Sequence, residues 1–399
     1  MYKKVIIIIV ILTSTGLYQL TFLPDVLVKA SRLMGAALMA AVIVLYAAYS
    51  REKSYKSYFT VPIILILVSV LISMFGAYAF HGQSFMSTAL AQRAIYFYLA
   101  YFLLHLMKVS GEFIIRCVFA FAFLYIGLYL LQYFIYPVLI TNAHVFIDRQ
   151  TLRIFLPGLG YLVIGYFIWL YLTFRTFKMK YIVFLLLSMI TFVLLGTRQL
   201  LAAIVLLTIL FVLQSKMIKS KLLLFIMIGA AFIPVFFLFQ DIILAMFEVT
   251  QKQSQRIESN VRVEAAKFFL TDFVPNGWAY ITGNGASGSS LYGLRIIRYA
   301  EEYGYFQSDI GLIGDYTKYG ILYVFGALII LYRILIKKIP EKLMFIKYNF
   351  MAILITLVTG SGAFGSADSI VIICLLLYLL DLYMNDAESF KNFPVGSVS

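Results

Sequence analysis

The chain has 399 residues, 63% of them hydrophobic and 13% charged, with a formal net charge of +14. Soluble domains carry roughly 25% charged residues, so this composition excludes an ordinary soluble enzyme. Long apolar runs recur from end to end, which marks a polytopic integral membrane protein.

The apolar runs contain no alternating segments of the barrel kind, so the expected fold class is all-α. Twelve crossings are predicted near 5–23, 33–50, 59–80, 88–107, 117–137, 154–174, 181–196, 199–214, 222–240, 307–332, 348–361 and 366–384. The expected organisation is transmembrane helices 1–9 over residues 1–240 and an extracytoplasmic loop over 241–306. Helices 10–12 then occupy 307–384, and 385–399 form a cytoplasmic tail. The first segment follows Met1-Tyr2-Lys3-Lys4 but lacks a small-x-small cleavage site before Pro24-Asp25, so it reads as a retained crossing.

Placing both termini in the cytoplasm satisfies the positive-inside rule. Nineteen of the 32 basic residues then lie inside, as 15 lysines and 4 arginines. The outer ones are 4 lysines and 9 arginines, namely Arg32, Arg93, Arg149, Arg153, Arg198, Arg256, Arg262, Arg295 and Arg298. Topology needs only positive charge, whereas arginine is preferred where a planar fork must hold a phosphate or carboxylate. The outer face therefore reads as anion-binding. The competing reading pairs these arginines with the outer acids Asp148, Glu258, Glu264, Glu301 and Glu302. The charge balance gives no reason to expect a nucleic-acid partner, since anchoring charges are the commoner cause in a membrane protein.

Cys117 and Cys374 sit in apolar segments and read as buried small hydrophobes. His81, His105 and His144 form no ligand pair at helical spacing. Neither a metal nor another cofactor is expected.

The apolar stretch from Tyr181 to Leu213 is interrupted by Gly196-Thr197-Arg198. As one helix it would run about 50 Å, too long for one comfortable crossing of a ~30 Å hydrocarbon core. Two short helices meeting at this turn are expected. A guanidinium cannot be deprotonated there, so it must find water, a partner or an anion.

Within the outer loop, 254–273 reads as a helix, capped by Ser254 or Ser259 and ended by Pro275-Asn276-Gly277. Arg262, Ala266, Phe269 and Phe273 share a stripe, so Arg262 either snorkels to headgroups or is lowered into a cavity. Gly283-Asn284-Gly285 follows; it lacks a phosphate-loop lysine and reads first as a flexible turn. Asp309 and Asp315 stand at the outer end of the tenth crossing, and acids there are functional candidates. Asp309 either acts as a base for a sugar hydroxyl or pairs with a loop arginine. Tyr280, Tyr292, Tyr299, Tyr303 and Tyr305 offer sugar-stacking faces or form a plain interfacial belt.

The order Gly196-Thr197-Arg198, Arg262, Pro275, Gly283-Asn284-Gly285 and Ser308-Asp309 before Gly311-Leu312-Ile313-Gly314 resembles the O-antigen polymerase and ligase superfamily, the Wzy-type polysaccharide polymerases. The chain departs from the ligase-like pattern in having no histidine at 308–309. The resemblance implies a GT-C-like fold and a metal-free glycosyltransferase at the outer face of the cytoplasmic membrane. It implies an undecaprenyl-diphosphate-linked glycan as donor and another as acceptor, with membrane lipid and other polysaccharide-assembly proteins as partners. The product would be a capsule, an exopolysaccharide or an O-antigen. The catalytic candidates are then Arg198, Arg262 and Asp309. The substrate-binding candidates are Arg256, Arg295, Arg298, Gly283, Gly285, Tyr303 and Tyr305. Ligase-type transfer of a finished glycan and flipping of the lipid-linked unit are the alternatives.

Overall fold

The computed structural model describes residues 2–49, 57–148, 151–215, 260–357 and 363–386, with five single positions between 216 and 259. The described chain is mostly helical. Its helices are α1 (Tyr2–Ser14), α2 (Asp25–Tyr49), α3 (Thr60–His81), α4 (Phe85–Ala91), α5 (Leu99–Met107) and α6 (Gly111–Ile135). A hairpin of β1 (Val145–Asp148) and β2 (Thr151–Ile154) separates these from α7 (Leu159–Thr176), α8 (Met179–Leu194) and α9 (Arg198–Gln214). There follow α10 (Val261–Leu270), α11 (Leu291–Tyr303), α12 (Gly311–Tyr319), α13 (Ile321–Ile336), α14 (Met344–Thr356) and α15 (Ala367–Asn385).

Among the described residues, five helices are long and apolar enough to cross a membrane: Val26–Leu45 within α2, and α3, α6, α7 and α15. Ile95–Met107, α8, α9 and α13 are shorter apolar helices. The expected two-helix reading of 181–214 is met, with a break at 195–197.

The mostly helical fold is consistent with the expected all-α class, to which the hairpin, paired Phe146 to Arg153, adds one small sheet. Other expectations are corrected. The first crossing ends early at Ser14, because Gly16–Gln19 turns the other way. The segment 88–107 is divided between α4 and α5, and 307–332 is broken around Ile310 and at Gly320. The ninth crossing lies almost wholly outside the described residues.

The core is built on α7 and α15. From Tyr161 to Thr173, and again from Ile370 to Asp381, every residue is buried. A helix apolar on all sides has no solvent face to keep, so both take the centre of the bundle. Helix α15 packs against α5, α1, α6 and α7, while α3 pairs with α13. The lipid-compatible surface is left to other helices, whose large side chains such as Val44, Leu71 and Leu206 are exposed.

Two polar devices hold this apolar bundle in register. Asp381, fully buried on α15, shares a hydrogen bond with His105 Nε2 at 2.9 Å and accepts from the Tyr101 hydroxyl. Its other oxygen accepts from the Tyr58 amide at 3.3 Å. The second device is the turn at Gly16–Gln19. Leu17, Tyr18 and Gln19 are consecutive non-glycine residues with φ of 54°, 55° and 53°. Such backbone costs roughly 1–2 kcal/mol per residue, and it persists because the segment after α6 clamps it. Thr141 Oγ1 donates to the Tyr18 carbonyl at 2.9 Å, and the Asn142 amide donates to that of Gln19 at 2.6 Å.

Replacing Asp381 by Ala would leave His105 and Tyr101 buried without their shared acceptor, at a cost of about 3 kcal/mol or more. The expected result is a clearly lowered unfolding midpoint of the detergent-purified protein. An unchanged midpoint would remove Asp381 from the role of keystone.

Candidate functional site

Arg198 is the first residue of α9, after Thr197 as cap and Gly196 at φ +62°. Glycine takes this left-handed conformation without the steric cost other residues bear, and it lets α8 fold back into α9. Arg198 is half-buried and stands at a helix start, where the helix dipole also favours an anion.

A second arginine is tied to the same turn. Arg153 on β2 lies over the rings of Phe146 and Phe155, at 5.4 and 5.1 Å from their centroids. Its Nε donates to the Leu195 carbonyl at 3.3 Å. Sequence reasoning placed Arg153 on the outer side but not in the site. The signal it passed over was the alternation Phe146, Arg153, Phe155 across a hairpin, which becomes a contact only once the strands pair.

Residues 261–310 fold as a small unit with its own core. Ala265 and Phe269 of α10, with Phe273, Tyr292 of α11 and Ile310, are all buried. This unit is seated on the end of α3. His81 stacks on Tyr292, with ring centroids 4.1 Å apart and planes 2° apart, and on Phe273 at 5.6 Å. His81 Nε2 meets Asn284 Oδ1 at 3.1 Å. Burial pushes the Tyr292 phenol above its ordinary range, so it remains an O–H that donates to the Gly285 carbonyl at 3.1 Å.

The glycine segment serves this seating. The Asn284 and Gly285 amides donate to the Thr317 and Lys318 carbonyls, at 2.9 and 2.8 Å. At Gly283, with φ +77°, a Cβ would overlap the Lys318 carbonyl and stand 2.6 Å from the Gly320 nitrogen. Gly283 and Gly285 therefore dock the loop against α3 and α12. The amides of Gly283 and Gly285, the expected substrate-binding glycines, are committed to the Ala279 and Lys318 carbonyls at 2.9 and 2.8 Å.

The loop arginines also differ from expectation. The described helix opens at Val261 with Asn260 as its cap, the side chain accepting from the Arg262 amide at 3.0 Å; Ser254, Arg256 and Ser259 lie outside the described residues. Ala265 and Phe269 take the buried face, and Arg262, in the first turn, is exposed. It is not lowered into a cavity. Arg298 pairs with Glu302 at 3.1 Å, both exposed, which is the acid-pairing alternative. Arg295 is exposed. Tyr303 is also exposed, while Tyr305 is half-buried against Phe268, with centroids 5.4 Å apart.

The two acids separate by environment. Asp315 is buried on α12, 3.8 Å from Lys318 Nζ. Asp309 is only half-buried, and its Oδ1 accepts from the exposed Ser308 hydroxyl at 3.2 Å. Helix α10 packs against the turn Gln307–Ile310, so Arg262 and Asp309 belong to the same folded unit. Arg198 and Arg153 belong to the α8–α9 turn.

No protein-family model matches the chain, and neither does any curated protein or solved structure.

Gly283→Ala combines a strained φ with an overlap against α12. It is expected to unseat the loop and raise the rate of trypsin cleavage between residues 260 and 300 at least tenfold. Digestion no faster than that of the parent would show that this glycine does not hold the loop down.

Proposed function

We propose that this chain polymerises lipid-diphosphate-linked oligosaccharide repeat units into a surface polysaccharide at the outer face of the cytoplasmic membrane. The supporting observation is the α8–α9 turn, where Arg198 opens a helix and Arg153 is held against the preceding carbonyl. Two permanent cations beside a helix N-terminus suit an anion that is stronger than one carboxylate. The outward bias of arginine over lysine in the sequence points the same way. In this reading the chain makes twelve crossings with a GT-C-like arrangement, and both termini face the cytoplasm.

The reaction joins two lipid-linked glycans. An acceptor hydroxyl oxygen attacks the anomeric carbon at the reducing end of the growing chain. The bond from that carbon to the diphosphate breaks, and the polyprenyl diphosphate departs with the electron pair. Arg198 stabilises the charge that develops on it, a term that is commonly large in enzymes. Asp309, the more accessible of the two acids, receives the proton of the attacking hydroxyl. Asp315 serves the fold through Lys318. Arg262, on the exposed first turn of α10, contacts the glycan or its diphosphate from the loop side. Tyr303 offers an exposed ring for a sugar face.

The test is incubation of purified protein with a synthetic polyprenyl-diphosphate-linked repeat unit, followed by gel analysis for a ladder. A ladder that persists in EDTA and falls at least a hundredfold in Arg198→Lys is expected, because lysine lacks the bidentate fork. Full activity in that variant, or loss in EDTA, would overturn the arginine-based mechanism. Asp309→Asn is expected to be more impaired than Asp315→Asn at equal expression, and the reverse order would name the other acid.

A further inference from the structure

Arg32, on α2, and Arg93, in the turn after α4, lie within reach of each other's charge, and Asp368 at the start of α15 attracts Arg32. The Nε atoms of both arginines are buried and uncommitted among the described residues, as are the hydroxyls of Tyr18, Tyr125 and Tyr161. The charge of Asp368 acts on all three tyrosines. Buried polar atoms are partnered in more than about 90% of cases, so four uncommitted groups around one acid, with Arg93 beside Arg32, are not ordinary packing. Asp368 is partly engaged already, since its Oδ2 accepts from the Gly158 amide at 2.7 Å.

The backbone shapes this place. Gly16, at φ +58°, lies beside Arg32, since a Cβ there would stand in ordinary contact, 3.5 Å from Nη2 and 3.6 Å from Nε. Gly158, at φ +95°, leaves its own Cβ position 3.3 Å from the Tyr18 hydroxyl. The left-handed turn Gly16–Gln19 therefore forms one wall, and strained backbone held by its surroundings is commonly found at ligand sites. Two guanidiniums against one carboxylate leave an excess positive charge that cannot be titrated away.

We propose that Arg32 and Arg93, with the Tyr18 hydroxyl, form a second anion site that takes the phosphate or diphosphate group of a membrane lipid. Arg93 Nη1 donates to the Leu90 carbonyl at 2.8 Å, and the remaining donors of two forks carried on different elements suit a tetrahedral phosphate better than one planar carboxylate. Beside Arg32, the side chains of Leu33 and Met34 are exposed on α2, giving an apolar face along which a lipid tail runs. The proposal rests on the reading above in one respect: a transfer between two lipid-linked glycans brings two diphosphates to one membrane face, and the Arg198 turn accounts for one.

The experiment is calorimetric titration of the full chain in nanodiscs with farnesyl diphosphate, with inorganic pyrophosphate and farnesol as separate titrants. Two farnesyl diphosphates per chain are expected. Arg93→Gln and Arg32→Gln should each remove one event or weaken it at least tenfold, while Lys180→Gln changes neither. Arg32→Lys keeps charge and bulk and is expected to weaken that event several-fold, and unfolding midpoints confirm that each variant folds. Pyrophosphate bound equally well and lost in the same variants would support the site and assign it to a soluble phosphate. One event, lost in Arg198→Gln but not in Arg32→Gln or Arg93→Gln, would overturn this proposal and leave the other reading standing. One event lost in Arg93→Gln but not in Arg198→Gln would support the site and overturn the Arg198 clamp. Farnesol binding as tightly as its diphosphate, or no binding at all, would overturn the proposal.

Discussion

Every charged or polar group inside an apolar bundle must find a partner within the protein or a polar ligand, and this constraint organises the molecule. The buried carboxylate of Asp381 illustrates it. Its acceptors are met by His105, Tyr101 and a backbone amide, which pins α15 to α5 and to the start of α3. Helix α15 is apolar on all sides, so its burial alone sets neither its rotation nor its height. Van der Waals packing between apolar helices is permissive about sliding, whereas a carboxylate held by directional hydrogen bonds is not.

The same demand explains how the loop is attached. His81 ends α3 and presents a polar ring there. The loop covers it with Tyr292 and Phe273 and supplies Asn284 as partner. Glycines then allow two backbones to meet, so that amides of the loop reach the carbonyls of Thr317 and Lys318. The loop is therefore a folded cap with a small aromatic core of its own, seated on the bundle by polar contacts at close range.

The arginines fall into two environments. Arg262, Arg295 and Arg298 are exposed on the loop, where water screens their charge and a pair such as Arg298 with Glu302 contributes little. Arg153, Arg198, Arg32 and Arg93 are partly buried, where a guanidinium has more to gain from an anion. The tyrosines relate these groups: the Arg153 charge acts on Tyr129, whose ring stacks 6.1 Å from that of Tyr125. Tyr125 in turn feels Tyr18 and Asp368.

The sequence by itself determined the helical membrane-protein class and the break at Gly196–Arg198. These follow from composition and from the length of an apolar run set against a helix rise, neither of which depends on long-range contacts. It also marked Cys117 and Cys374 as buried. The tertiary structure alone decided which arginines are buried and which are exposed. Helical spacing put Arg262 on the stripe of Phe269 and Phe273, but a helix of ten residues lets its first turn project beyond the surface it packs on. The role of Gly283 and Gly285 was hidden for a related reason. A glycine that frees a loop and a glycine that lets two backbones touch look identical until the second backbone, here that of Lys318 and Gly320, is in place. The meeting of Arg32, Arg93, Tyr18 and Asp368 joins positions hundreds of residues apart, and only the folded bundle brings them to one place.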